Sequence, residues 1–255
     1  NRFTLTIRTQ QPLQQTYLDE CCKKMSAGVV NFYGTQRFGN RWLSHYFGRL
    51  LIQGKFEEAV WRFLTDVNSG ERKYTALIRQ SLRERGQDWI FAAEQFSKFP
   101  YTFQHERTVI HHLRQHPGDW VGALSTIQEQ VRLWVYAYIS YVMNQTMSNL
   151  VSSGQSLPRF LPIPLSQRPE DLQPYLTLFE QDSVALNFTQ TLRALPFIRP
   201  QPRQLETMIH PQFHGQRVHD VGCVVSFDLP SGAYATTVLM NLFTLESSQP
   251  APSWV

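Results

Sequence analysis

Cysteine is scarce in this chain: 255 residues hold three, two of them adjacent at Cys21 and Cys22 and the third far away at Cys223. Such a set builds no disulfide framework and matches no zinc-ligand spacing, so a reducing compartment, the cytoplasm, is expected. Long hydrophobic runs are missing too. The most apolar stretch, Leu133 to Met143, carries three tyrosines and a serine and is too short to span a bilayer. Neither a Walker-type nor a dinucleotide glycine fingerprint occurs. The chain opens on Asn1 instead of methionine, with no signal segment or Arg-rich leader, so further residues are expected to precede it.

What is present is enough for a core: 42% of the residues are hydrophobic, which argues for folding and against disorder. Lys and Arg number 24 against 20 Asp and Glu, a formal charge of +4. That balance leans toward a polyanionic partner, although an ordinary basic soluble protein carries the same charge.

The periodicity of the apolar residues divides the chain. In Asn1 to Thr9, Phe3, Leu5 and Ile7 alternate with polar residues, the signature of a half-buried strand. Tyr17, Leu18, Cys21, Cys22 and Met25 then recur at helical spacing, predicting a helix from Gln15 to Ala27 that ends near Gly28. Beyond Gly39 the period stays helical. Leu43 to Leu51 and Phe56 to Leu64 form a hairpin broken at Gly54, and further helices are predicted around Lys73 to Glu84, Asp88 to Phe96, Glu106 to Gln115 and Gly118 to Val151. Prolines then interrupt Leu157 to Pro211, where loops and short helices are expected. Val221 to Leu229 reads as a strand, Pro230-Ser231-Gly232 as a turn and Ala233 to Phe243 as a helix; the Ser/Pro-rich tail after Glu246 is expected to fray. The expected class is α+β. Residues 1–27 and 205–255 read as parts of one domain, and 28–204 as a mainly helical domain inserted into it.

Chemistry concentrates in Asn31-Phe32-Tyr33-Gly34-Thr35-Gln36-Arg37-Phe38-Gly39. Glycines allow close backbone approach, aromatic faces can stack on bases, and Gln36 and Arg37 can hydrogen-bond phosphates or base edges. The same residues also fit an aromatic-rich helix entry in which Phe32, Tyr33 and Phe38 are core and Arg37 pairs with a carboxylate. Ser231 is placed to cap the last helix, with or without a phosphate at that turn. Tyr138, Tyr141 and Asn144 share one face of the long helix. The histidine groups His210, His214, His219 and His111, His112, His116 complete no standard metal set, and no metal site is expected.

Four segments together resemble the TruD family of tRNA pseudouridine synthases. "NRFTLTIR", "NFYGTQRFG", "YISYVMNQTMS" and "FDLPSGAYATTVLMNL" follow, in order, that family's "GNxF" strand, "NYFGxQRFG" segment, "QSYLFNxxLS" helix and "LPxGSYATxVLREL" ending. The resemblance runs from Asn1 to about Phe243, with Gln155 to Gln216 matched mostly by position. It implies a pseudouridine synthase catalytic domain around a mixed sheet, interrupted by a helical domain, acting without a cofactor on uridine 13 in the D-arm region of tRNA, as a monomer. Carried over residue by residue, it implies that Asn1, Phe3, Phe32, Gln36, Arg37, Phe38, Ser231, Gly232 and Tyr234 line the active site and target base, with Gly34, Gly39 and Asn144 supporting the cleft.

Departures accompany the match. Phe32-Tyr33 reverses the usual order, Ile139 stands where glutamine or alanine is common, and Met240-Asn241 replaces an arginine and glutamate. The family's catalytic aspartate sits in "GxKDxxAxTxQ", yet no Lys-Asp pair occurs here, so that aspartate is expected upstream of Asn1 and none of this chain's aspartates is assigned the role. Alone, the chain is expected to be inactive. Two alternatives remain open: a TruD-like RNA-binding protein without catalysis, and a helical-repeat protein-binding scaffold built on segments such as "GKFEEAVWRFL" and "PGDWVGAL", for which no regular period is found.

Overall fold

A computed structural model of the chain describes residues 1–68 and 71–244. The tail expected to fray after Glu246 lies outside the described residues. In chain order the elements begin with β1 (Arg2–Arg8), α1 (Gln15–Ser26), β2 (Val29–Val30), α2 (Ser44–Ile52), α3 (Phe56–Thr65), α4 (Lys73–Arg85) and α5 (Trp89–Ser97). They continue with α6 (Gln104–Gln115), α7 (Trp120–Ser125), α8 (Gln128–Ser152), β3 (Phe160–Pro162), α9 (Pro169–Leu172), α10 (Leu176–Gln181) and α11 (Phe188–Thr191). Last come β4 (Gln204–Glu206), β5 (Met208–Ile209), β6 (Gln212–His219), β7 (Gly222–Asp228) and α12 (Ala235–Leu242). The class is α+β, as expected. The chain forms two compact units, one of Asn1–Thr35, Met147–Leu161 and Gln204 onward, the other of Gln36–Thr146 and Pro162–Arg203.

In the first unit the strands stand in the order β1-β7-β6. Both pairings are antiparallel, so this sheet is antiparallel throughout where the resemblance implied a mixed one. Phe3, Leu5 and Ile7 turn one face of β1 inward, and they pack with Val225, Phe227, Leu18, Cys22, Met25 and Val238 into one apolar core. Helices α1 and α12 thereby cover that face of the sheet. Fully burying an aliphatic or aromatic side chain, as at Val225 and Phe227, stabilises the fold by roughly 1.5–3 kcal/mol. Tyr17, counted in the helical stripe, is exposed instead. The opposite face is polar: Thr4 and Ser226 hydrogen-bond across β1 and β7 at 3.0 Å.

Strand β6 was not anticipated from the sequence. Phe213 faces Phe227, whereas Gly215 faces Ser226, so His214 is the extra residue of a β-bulge that breaks the period-two alternation. The short pair β2 and β5, with Val29 opposite Ile209, carries no sequence signal either, and β5 lies in the proline-interrupted stretch where loops and short helices were expected.

The second unit is built of helices. The predicted α2/α3 hairpin turns at Gly54, whose φ of 81° is left-handed. Gly48 of α2 lets that helix approach α8 so closely that a Cβ there would overlap the Trp134 carbonyl. Arg79 is buried between Glu71 at 2.7 Å and Glu106 at 2.6 Å, and it also donates to the Phe63 carbonyl at 2.9 Å. A buried guanidinium is tolerable only with its donors satisfied in this way. Burial also lowers the pKa of neighbouring Arg41 to about 10, Arg79 being the next cause.

One predicted helix is two. Gly118 to Val151 splits into α7 and α8, because the Thr126 hydroxyl bonds back to the Ala123 carbonyl at 2.6 Å while the Thr126 and Ile127 amides reach back only three residues. Asp119 caps α7 by accepting from the Gly122 amide at 2.9 Å.

Candidate functional site

The segment that concentrates the chemistry crosses between the two units at Thr35 and Gln36. Its first part belongs to the sheet-bearing unit. Asn31 is held by two backbone-directed bonds, its amide donating to the Thr207 carbonyl at 2.8 Å and its side chain to the Glu206 carbonyl at 2.9 Å. That anchoring carries Phe32, Tyr33 and Gly34 to the start of α12. There the Thr237 hydroxyl donates to the Phe32 carbonyl at 3.0 Å, and the rings of Tyr33 and Tyr234 meet edge to face with centroids 6.0 Å apart. Gly34 is buried, and a Cβ on it would stand 2.7 Å from the Thr236 hydroxyl oxygen. The glycine therefore permits the approach of the two segments.

The same unit brings the start of the first strand to the end of β7, just before the turn that leads into α12. Asn1 and Leu229 exchange two hydrogen bonds, the Asn1 backbone nitrogen donating to the Leu229 carbonyl at 2.8 Å and the Leu229 amide to the Asn1 carbonyl at 2.9 Å. The Pro230-Ser231-Gly232 turn follows directly, with Ser231 and Gly232 exposed and Gly232 at φ 92°. Phe3 is half-buried and stacks on Phe227 with centroids 5.8 Å apart. Thus Asn1, Phe3, Phe32, Gly34, Ser231, Gly232 and Tyr234 are gathered in one unit.

Ser231 does not cap the helix. Residue Tyr234 occupies the N-cap position and makes no side-chain cap bond, since the Pro230 carbonyl and the Ala233 amide close a turn that delays helix entry. This leaves the Ser231 hydroxyl and its exposed backbone outside the helix.

Gln36, Arg37, Phe38 and Gly39 belong to the second unit. A single 3-10 turn, Thr35–Phe38, exposes Gln36, half-buries Arg37 and sends Phe38 fully inside. Phe38 meets the His45 ring at 5.8 Å, near perpendicular, and His45 in turn stacks on Tyr141 at 5.0 Å. A fully buried ring has no face left for a base, so Phe38 supports the segment from below instead of lining it. Burial, with Arg49 adding to it, lowers the His45 pKa to about 4. Gly39 takes a left-handed φ of 74°, and a Cβ there would stand 2.6 Å from the Ser44 hydroxyl oxygen. Asn144 is buried on α8. On the same helix the Tyr138 hydroxyl donates to Asp182 at 3.0 Å, Asp182 being also paired with Arg49 at 2.8 Å; burial is the main cause that raises the Tyr138 pKa.

Sequence reasoning missed a polar clamp on the outer face of the sheet. Asp228 of β7 accepts from Arg2 of β1 at 3.1 Å and meets His214 of β6 at 2.6 Å. The Arg2 hydrogen bond, then that of His214, lowers its pKa to about 2. A carboxylate held on both sides is a poor base. Thr236 and Thr237 were missed as well, although both lie in the quoted ending. Among the described residues no group of three or more His, Cys, Asp or Glu could hold a metal ion, and no helix is long and apolar enough to cross a membrane.

Comparison with known proteins adds to this geometry. A family model described as tRNA pseudouridine synthase D (TruD) matches residues 1–162. A probable tRNA pseudouridine synthase D of Methanosarcina acetivorans is 33% identical over 166 residues, covering 62% of this chain and 37% of that protein. Its counterpart from Methanopyrus kandleri is 27% identical over 268 residues, covering 96% of this chain and 65% of that protein. The chain thus spans between about a third and two thirds of the length of these relatives. The crystal structure of a putative tRNA pseudouridine synthase D from Methanosarcina mazei superposes with a TM-score of 0.75 at 20% identity, over 94% of this chain and 68% of that one. At that identity the likeness speaks for the fold alone.

Proposed function

Because this chain belongs to the TruD family of tRNA pseudouridine synthases, we propose that it holds the RNA for a synthase that isomerises a uridine in the D-arm region of tRNA to pseudouridine. The observation that carries this reading is the joining of Phe32-Tyr33-Gly34 to Tyr234-Ala235-Thr236-Thr237 through the Thr237 bond, the Tyr33–Tyr234 contact and the close approach at Gly34. Both segments carry the resemblance, and nothing but tertiary structure brings them together.

In the reaction the N1–C1′ bond breaks, the base turns, and C5 joins C1′; C5 gives up its proton and N1 gains one, so atoms balance without a cofactor. A carboxylate serves as nucleophile or base. In this reading it comes from a Lys-Asp segment outside these 255 residues. The chain's own residues position the substrate. Asn1, Phe3, Phe32 and Tyr234 receive the base once it leaves its stack, the exposed Ser231-Gly232 turn offers donors to a sugar or phosphate, and Gln36 and Arg37 hold the backbone. Phe38, Gly34, Gly39 and Asn144 keep these residues in place. The sheet-bearing unit is then part of the synthase domain and the helical unit the insertion, and tRNA as partner and the cytoplasm as its location follow from the same reading.

The test is equilibrium binding of folded tRNA across a salt series. Affinity falls steeply as salt rises, because backbone contacts release counterions. Binding no tighter than to an unrelated acidic polymer, or indifferent to salt, contradicts the reading.

A further inference from the structure

Many arginines of the chain are engaged by carboxylates. Arg79 lies between Glu71 and Glu106, Arg49 meets Asp182, Arg62 and Arg83 converge on Asp66, and Arg85 meets Asp88. Two arginines of α6 differ. Arg107 and Arg114 are exposed, and among the described residues neither meets a carboxylate.

Helical spacing explains their placement. Val109, Ile110 and Leu113 bury the inner face of α6, which leaves Arg107, His111 and Arg114, at i, i+4 and i+7, on one outer face. With Ser97 of α5 and with Gln104 and Thr108 they line a groove of about 410 Å³ that has no carboxylate in its wall. Both hydroxyls are already committed inside the hairpin, Ser97 to the Ala93 carbonyl at 2.6 Å and Thr108 to the Gln104 carbonyl at 3.0 Å. The guanidinium forks therefore face the groove as its strongest donors, suited to two-pronged recognition of a phosphate. Two uncompensated cations on one face repel each other, and an anion between them relieves that cost.

We infer that this groove is a phosphate subsite, filled by consecutive backbone phosphates of the RNA. Seven residues of helix separate Arg107 and Arg114 by roughly 10 Å along the axis, whereas the phosphates of a nucleic-acid strand recur every few ångströms, about 3.4 Å along the axis of duplex DNA. A strip of that length matches a run of phosphates better than one free ion. The inference rests on the RNA-holding reading and adds to it a contact lying wholly within the helical unit.

The experiment compares tRNA binding by the parent chain, by Arg107→Ala/Arg114→Ala, and by Lys23→Ala/Lys24→Ala, which removes the same charge from the exposed face of α1. The arginine pair weakens binding about tenfold or more at low salt and reduces the salt slope by roughly two, while the lysine pair changes either quantity much less. Equal effects of the two pairs, or none from the arginines while the parent binds tRNA, overturn the inference and leave the RNA reading standing. A parent that fails to bind tRNA instead sinks the RNA reading. Inorganic pyrophosphate, titrated while the His111 imidazole resonances are followed by NMR, then decides for the groove. Shifts present in the parent and lost in the arginine variant keep a phosphate site that serves a small ligand, and no shift removes the site altogether.

Discussion

The hydroxyl of Thr237 donates to the carbonyl of Phe32 at 3.0 Å across 205 residues of sequence, and this bond ties the start of the last helix to the segment that concentrates the chain's chemistry. Replacing it by Thr237→Val keeps the shape and removes the donor. The Phe32 carbonyl then loses its side-chain partner, at a cost of about 1–2 kcal/mol in unfolding free energy. Urea denaturation measures it. An unchanged midpoint would show that the bond contributes nothing to joining the two segments.

Gly48→Ala is expected to be far more damaging. The added methyl meets the Trp134 backbone, which cannot rotate away, so α2 and α8 must separate along their crossing. Overpacking usually costs about 1–3 kcal/mol, and a collision with backbone belongs at the upper end. Thermal unfolding of the variant within a few degrees of the parent would contradict this packing.

The clamp on Asp228 gives a pH signature. Its folded carboxyl titrates at about 2, lowered chiefly by Arg2 and then His214, whereas an unfolded aspartate titrates near 3.9. Because the folded value is the lower, the clamp's stabilisation is complete above about pH 4 and is lost as pH falls toward 2. Asp228→Asn should therefore lower the urea midpoint at neutral pH and flatten its decline between about pH 4 and 2. Parallel declines in variant and parent would show that the clamp is not a stabilising pair in solution.

Arg37→Ala is expected to weaken tRNA binding with little change in thermal stability, since Arg37 is only half-buried on a short turn beside the fully buried Phe38. Binding isotherms and melting curves on the same preparation separate the two effects. A variant that melts much earlier and binds RNA as well as the parent would place Arg37 among the structural residues.

Local patterns made much of the fold legible. The alternation Phe3, Leu5, Ile7 specified β1, and Gly54 marked the hairpin between α2 and α3. Strand β6 was hidden because the bulge at His214 shifts the alternation halfway along, leaving Phe213 and Val218 out of phase with a single period. The break between α7 and α8 was hidden because one threonine hydroxyl, at Thr126, ends an apolar stripe that continues unbroken on paper. At the site, composition singled out residues 31–39 yet left open whether the aromatics are core or exposed. The structure divides them, with Phe38 fully buried and Phe32 and Tyr33 half-buried. Contacts such as Thr237 with Phe32 carry no local signature, since neither residue's neighbours encode the other.

The central claim is that this chain holds tRNA for pseudouridine formation. The most direct measurement incubates the protein carrying these 255 residues, together with the segment that supplies the Lys-Asp pair, with unmodified tRNA and quantifies pseudouridine after digestion to nucleosides. The account predicts one pseudouridine per tRNA, in the D-arm region, formed without added cofactor and absent when the 255-residue chain acts alone. Bound tRNA that gains no pseudouridine from the longer protein, or robust turnover by the 255-residue chain alone, would contradict it.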